Sequence, residues 1–296
     1  MTTLAHLSDL HGTSVAMHRP LDFAGKRFFG WLSWRSKRRF VYRPEVLEAL
    51  ARDLAAARPD HVAVTGDLTN VATAEEFSEA RGWLEKLGGP ERVSVVPGNH
   101  DAYAPIAPER SWDLWLEYLR SDDAVGEPGF PSLRVRGGLA LVGVNSALPT
   151  ALFLATGRVG EVQLGRLERR LVELRDAGLC RIVLIHHPVT QGAVSPRRAL
   201  RDAPALRAIL LRTGAELVLH GHGHRTLFAS LPGPSGDIPV VGVRSASDAT
   251  ERSEKRAQYH VYDIERGANG FRIAARIRGY AADGRFAALG EQVLRA

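Results

Sequence analysis

The sequence predicts an α/β fold in which two mixed β-sheets pack against each other between layers of helices. Three observations lead there. Through the first three quarters of the chain, short runs rich in Val, Leu and Ile alternate with segments whose leucines recur at helical spacing. After Pro239 the alternation gives way to consecutive strand-like runs separated by turns, the mark of hairpins. Polar residues able to bind metal recur where the apolar runs end, at the place where open α/β sheets keep their ligands.

The elements follow in order. Leu4 to Leu10 is apolar and runs into Asp9 and His11. Pro44 opens a helix that carries Leu47, Leu50 and Leu54 on one face. His61-Val-Ala-Val-Thr reads as a strand leading to Gly66-Asp67. Thr73 with Glu76 three residues on is a capping box, and the helix behind it shows Phe77, Ala80, Leu84 and Leu87 on one stripe. Val93 to Val96 leads to Gly98-Asn99-His100-Asp101, and Leu139 to Val144 is a further strand. Leu164, Leu167, Leu171 and Leu174 mark another amphipathic helix. Ile182 to Ile185 then runs into His186-His187-Pro188, and Leu217 to Leu219 into His220-Gly-His222-Gly-His224. Val240 to Val243, Gln258 to Ile264 and Phe271 to Ile277 supply the late strands.

The 296 residues, 45% of them hydrophobic, suit one large domain or two small ones. The candidate ligands spread from Asp9 to His224, and a split would separate them, so a single domain over 1–296 is expected. One cysteine, Cys180, excludes a disulfide framework and a thiolate zinc site and fits a reducing compartment. The first residues lack a basic stretch and a long apolar run, and no segment approaches the roughly 20 apolar residues of a membrane-spanning helix. A cytoplasmic protein is therefore expected. The net charge of +6 favours anionic partners: phosphorylated metabolites, nucleic acid or an anionic membrane.

Asp9 and His11 flank Leu10, and His222 and His224 repeat that spacing around Gly223. Side chains two apart on a strand share a face and can grip one ion. The donors are carboxylate, imidazole and amide without sulfur, a set that suits manganese, iron or zinc in a reactive rather than a structural site.

Asp9-Leu-His11, Gly66-Asp67, Gly98-Asn99-His100-Asp101, His186-His187-Pro188 and Gly221-His222-Gly-His224 resemble, in order, the five signature blocks of the calcineurin-like metallophosphoesterases. The resemblance implies a four-layer α-β-β-α sandwich and two divalent metal ions. Carried over residue by residue, it places Asp9, His11, Asp67 and His224 on the first ion. Asp67, Asn99, His186 and His222 take the second, with Asp67 bridging. The family ligand stands two residues before the proline, which selects His186 and leaves His187 lining the pocket or supporting the ligands. His220 is read as structural, and Arg225 and Arg244 as lying outside the site.

The implied reaction is attack of a metal-bridging hydroxide on phosphorus, with His100 as the acid for the leaving group and Asp101 orienting His100. The expected substrate is a phosphodiester or pyrophosphate. Alternatives are a soluble cyclic-nucleotide or glycerophosphodiester phosphodiesterase and, in another class, a metal-binding scaffold without catalysis.

Phe23 to Arg43 is an insert with no acidic residue. Lys26, Arg27, Arg35, Lys37, Arg38, Arg39 and Arg43 are interleaved there with Phe28, Phe29, Trp31, Leu32, Trp34 and Phe40. Such a composition describes a segment lying on anionic lipid, here the inner membrane face, or aromatics packed on the domain with arginines left in water. Nucleic acid is disfavoured, because the segment lacks a distributed stacking platform. The basic aromatic insert after the first block also resembles, more loosely, the branch that cuts the pyrophosphate of UDP-2,3-diacylglucosamine, a lipid-linked substrate. A second aromatic run follows at Ser111 to Leu119.

Overall fold

The structure is a computed structural model that describes residues 1–16, 25–122, 129–268 and 270–296. Phe23 and Ala24 of the insert lie outside the described residues. In chain order the elements begin with β1 (Thr2–Leu7), α1 (Lys26–Ser33), a π-helical turn Trp34–Arg38, α2 (Arg39–Val41) and α3 (Pro44–Ala57). There follow β2 (His61–Val64), α4 (Ala74–Leu87), β3 (Val93–Val95), α5 (Leu116–Leu119), β4 (Ser132–Arg136) and β5 (Leu139–Val144). Next come α6 (Glu161–Asp176), β6 (Cys180–Ile185), α7 (Ala203–Thr213), β7 (Leu217–His220), β8 (Leu227–Leu231) and β9 (Ile238–Gly242). The chain closes with β10 (Gln258–Gly267), β11 (Gly270–Tyr280) and β12 (Phe286–Arg295).

Two six-stranded mixed sheets result, in the orders β12-β11-β10-β1-β2-β3 and β4-β5-β6-β7-β9-β8. The strands that lead to the candidate ligands are parallel within each sheet: β1 with β2, β2 with β3, and β6 with β7. Their carboxyl ends therefore open on the same side. The late hairpins are β10 to β12, while the run at Val240 pairs parallel with β7 in the other sheet.

Side-chain alternation explains the layers. Along β1, Leu4 packs between the sheets with Leu141, Ile182 and Leu219, whereas Ala5 and Leu7 face α3 and α4 through Leu50 and Phe77. On the outer face of the second sheet, α6 and α7 supply Leu167, Leu171, Leu206 and Leu210. The expected α-β-β-α sandwich is what forms. The second aromatic run belongs to this core: Trp115 and Tyr118 are buried, and the Trp115 ring lies 4.6 Å from that of Phe77. The insert does not. Phe29 is 46% and Phe40 61% exposed, and Phe28, Trp31 and Trp34 are half-buried.

Among the described residues no helix is long and apolar enough to cross a membrane.

Candidate metal centre

The ligand pairs lie one step beyond the strands. β1 stops at Leu7 and β7 at His220, so strand alternation does not aim Asp9 with His11 or His222 with His224. Left-handed backbone does. Asp9 (φ 53°), His11 (43°), Asp67 (57°), His222 (64°) and His224 (49°) all adopt a conformation rarely taken by residues with a Cβ. Non-glycine residues hold it only where the surroundings over-determine them, and such positions gather at functional sites.

Gly98 and Gly221 serve a purpose other than turning at positive φ. A Cβ on Gly221 would stand 1.8 Å from Ser8 Oγ and 2.5 Å from Asp9 Oδ2, and one on Gly98 2.2 Å from Asp67 Oδ1. Both are kept bare by the approach of a ligand carboxylate.

Each histidine is oriented through one ring nitrogen, which leaves the other for the centre. His11 Nδ1 bonds Thr69 O at 2.9 Å, and His186 Nδ1 bonds Thr65 O at 2.6 Å. His222 Nε2 bonds Arg198 O at 2.9 Å, and His224 Nδ1 meets the Tyr42 hydroxyl at 3.1 Å.

Two groups of donors emerge, Asp9, His11, Asp67 and His224 in one and Asp67, His186 and His222 in the other. Asn99 joins the second, its Oδ1 lying 3.1 Å from His186 Nε2. Asp67 belongs to both: its Oδ2 stands 3.9 Å from His11 Nε2 and 3.3 Å from His186 Nε2, while Oδ1 accepts the His100 backbone N–H at 2.7 Å. The grouping coincides with the ligand sets that the sequence resemblance implies.

The residues fit a cation on an observation of their own. Asp9 Oδ1 is fully buried and is matched only by the His224 ring, whose Nε2 lies 3.0 Å away. Burial would raise both carboxyls, but His224 holds Asp9, and His186 and then His100 hold Asp67, below the ordinary carboxylate range. Burial lowers His11 and His222, so both offer a lone pair. His186 differs. Burial pulls it down, yet the Asp67 charge and hydrogen bond lift it to about 9.

His100 faces the first group, its ring 4.9 Å from that of His11. Its Nδ1 bonds Asn70 O at 2.5 Å, and Asn70 is itself fixed by bonds from its Nδ2 to His11 O and Thr13 O. The expected orienting role of Asp101 is corrected here. Its carboxylate accepts the backbone N–H groups of Asp67, Leu68, Thr69 and Gly98 and the Thr69 hydroxyl. It braces the loop that carries Asp67, and Asn70 orients His100. His187 is buried against Ser146 Oγ and Ala155 O, with its ring 4.5 Å from that of His222, so it supports the ligands. His220 bonds Gly221 O and stays structural, and Arg225 and Arg244 bind the backbone carbonyls of Ala193 and Ser253.

Arg38 and Tyr42 were not expected at the centre. Tyr42 holds His224, and Arg38 Nη2 lies 3.1 Å from His11 Nδ1. Both come from the end of the insert, which thereby forms a wall of a cleft of about 510 Å³ lined also by Lys37, Arg198 and Lys255.

Comparison with known proteins agrees with this geometry. Residues 2–226 match the family described as Calcineurin-like phosphoesterase. A probable cyclic nucleotide phosphodiesterase of Synechococcus is 29% identical over 60% of this chain and 62% of its own length. One of Rhodococcus erythropolis is 27% identical over 66% and 60%. The chain thus spans about three fifths of the length of these curated relatives. A dimetal phosphatase from Danio rerio superposes with a TM-score of 0.67 at 13% identity, covering 97% of this chain and 98% of that one. A purple acid phosphatase from yellow lupin gives 0.56 at 12% identity, over 97% and 52%. These two share the fold. With three quarters of its residues inside the family match and every signature donor gathered around Asp67, the chain belongs to the calcineurin-like phosphoesterase family.

Proposed function

We propose that the protein is a metal-dependent phosphoric ester hydrolase acting on a phosphodiester or pyrophosphate bond. The observation that carries the reading is the pair of donor groups joined at Asp67, with His100 beside them. Two divalent ions bound there supply Lewis acidity and an activated water. Asp9, His11, Asp67 and His224 would hold one, and Asp67, Asn99, His186 and His222 the other, a donor set suited to manganese, iron or zinc.

His100 is the proton carrier for the leaving oxygen. The Nδ1–H bond to Asn70 O fixes the ring and leaves Nε2 to exchange the proton. Burial and then the Arg38 charge push this imidazole down to about 3, so it rests neutral near pH 7 and would take up its proton only beside the negative charge of a bound phosphoryl group. The names of the Synechococcus and Rhodococcus relatives favour a phosphodiester.

The direct test is hydrolysis of bis(4-nitrophenyl) phosphate. Chelation is expected to abolish it and manganese to restore it, and full activity under chelator would sink the reading, as would metal uptake without hydrolysis, which is scaffold behaviour. Metal uptake carries a pH signature. The ion must displace the His186 proton, so apparent affinity rises with pH and levels off above about 9. Calorimetric affinity that is flat from pH 6 to 9 (roughly the interval between the ordinary histidine value and the raised one) contradicts it.

A second reading, a lipid-linked substrate met at an anionic membrane, is favoured by the outer face of the insert. Phe29, Leu32 and Phe40 are exposed, Phe153 packs near Phe29 with ring centres 6.3 Å apart, and Arg35 and Arg39 are exposed among them. Phe29 and Phe40 are thus better anchors than the half-buried Trp31 and Trp34. Basic residues near such a surface contribute roughly 1 kcal/mol each. Arg35→Gln with Arg39→Gln is expected to weaken co-sedimentation with phosphatidylglycerol vesicles about tenfold at low salt, and Phe29→Ser with Phe40→Ser to do the same at any salt. Wild-type protein indifferent to those vesicles would end this reading and leave the first intact.

A further inference from the structure

Arg38 reaches the centre from outside the ligand loops. It closes the π-helical turn Trp34–Arg38, in which the Arg39 N–H donates to Trp34 O and the Ser36 hydroxyl donates to Leu32 O. Single π turns recur at functional sites, because the widened turn re-aims one side chain. The segment is held at both ends. Lys26 Nζ bonds Thr150 Oγ1 at 2.8 Å and Arg27 Nη2 bonds Ala72 O at 2.9 Å, while at the other end Arg43 N bonds Ser247 O at 3.0 Å.

The guanidinium so delivered has poor partners. Nη2 lies 3.1 Å from His11 Nδ1 and 3.3 Å from Nε2, and Nη1 lies 3.4 Å from His100 Nδ1. Both Nδ1 atoms are already engaged with Thr69 O and Asn70 O. Among the described residues Arg38 forms no salt bridge with a carboxylate, and the Tyr42 ring stacks 5.4 Å from its carbon. Guanidinium matches two oxygens of a phosphoryl group in one plane. A fixed cation this near two divalent ions is repelled unless an anion stands between them. Of the residues lining the cleft, Asp248 is the one carboxylate besides Asp67, against the cations Lys37, Arg38, Arg198 and Lys255.

We propose that Arg38 is the substrate-phosphate arm of this site. Its guanidinium grips the oxygens of the scissile phosphoryl group on the His100 side, opposite the ion-holding carboxylates. The role rests on the hydrolase reading for its chemistry, but phosphate binding tests it separately. It also changes what the insert is for: its inner end recognises the reacting group, whatever its outer face touches.

The experiment uses manganese-loaded wild type, Arg38→Lys and Arg38→Ala. Manganese content is measured by elemental analysis, orthophosphate affinity by calorimetry, and kcat/KM with bis(4-nitrophenyl) phosphate. Arg38→Ala is expected to retain its manganese, to bind orthophosphate ten- to a hundredfold more weakly, the range for a lost charge-assisted pair, and to lose kcat/KM in step. Arg38→Lys is expected to fall between, since it keeps the charge but not the fork. Unchanged orthophosphate affinity in Arg38→Ala overturns the assignment. So does loss of manganese in parallel with phosphate, which would make Arg38 a prop for His11. Wild-type protein that binds orthophosphate through Arg38 yet cleaves no ester would leave the arm standing and refute the hydrolase reading instead.

Discussion

Replacing Asp67 by Asn is expected to cut phosphodiester hydrolysis by roughly a thousandfold, about 4 kcal/mol of barrier. Among the described residues no other side chain belongs to both donor groups. An amide in its place keeps an oxygen for the His100 N–H, so the loop survives, but removes the negative charge that two bound ions would share. The manganese content of the purified variant is expected to fall below half that of the wild type. The two readouts must move together. A variant that keeps full metal and more than a tenth of its rate would show that Asp67 is not the shared ligand.

His100→Ala is expected to separate metal from rate. The ring touches Asn70 O and lies beside His11 but stands outside both donor groups, so manganese content should be retained. The loss should reach roughly 10²–10⁴-fold for an alkyl phosphodiester, whose leaving oxygen needs a proton. For a nitrophenyl ester, whose leaving group departs as the anion, the loss should be within about tenfold. Equal losses on the two esters would remove His100 from proton transfer. Loss of manganese would make it a ligand.

The sequence shows most of this centre because metal donors come from few residue types and follow apolar strands that are easy to see. Asp9, His11, Asp67, Asn99, His186, His222 and His224 stand in the two groups that resemblance alone implied. What it does not show is how they are aimed. Strand periodicity suggested a shared face for Asp9 and His11, but β1 ends at Leu7 and left-handed backbone does the aiming. Asp101 follows His100 directly, which reads as a dyad. Its true partners are peptide N–H groups, which carry no letter in a sequence.

Arg38 and Tyr42 were illegible for another reason. A run of basic and aromatic residues is one composition whether its side chains point to solvent, to lipid or into a cleft. Only the fold separates Arg35, which is exposed, from Arg38, three residues on, which touches His11. For the fold itself, β12 lacked a signal because it is an edge strand whose residues from Ala287 to Val293 are all exposed, so no alternation marks it. The buried strands were plain: β5, read as Leu139 to Val144, has those bounds.

The most direct measurement is an anomalous difference map from crystals grown with manganese. Two peaks per chain are expected, one against Asp9, His11, Asp67 and His224 and the other against Asp67, Asn99, His186 and His222. A single peak, or peaks away from Asp67, would contradict the two-ion centre on which the proposed chemistry rests.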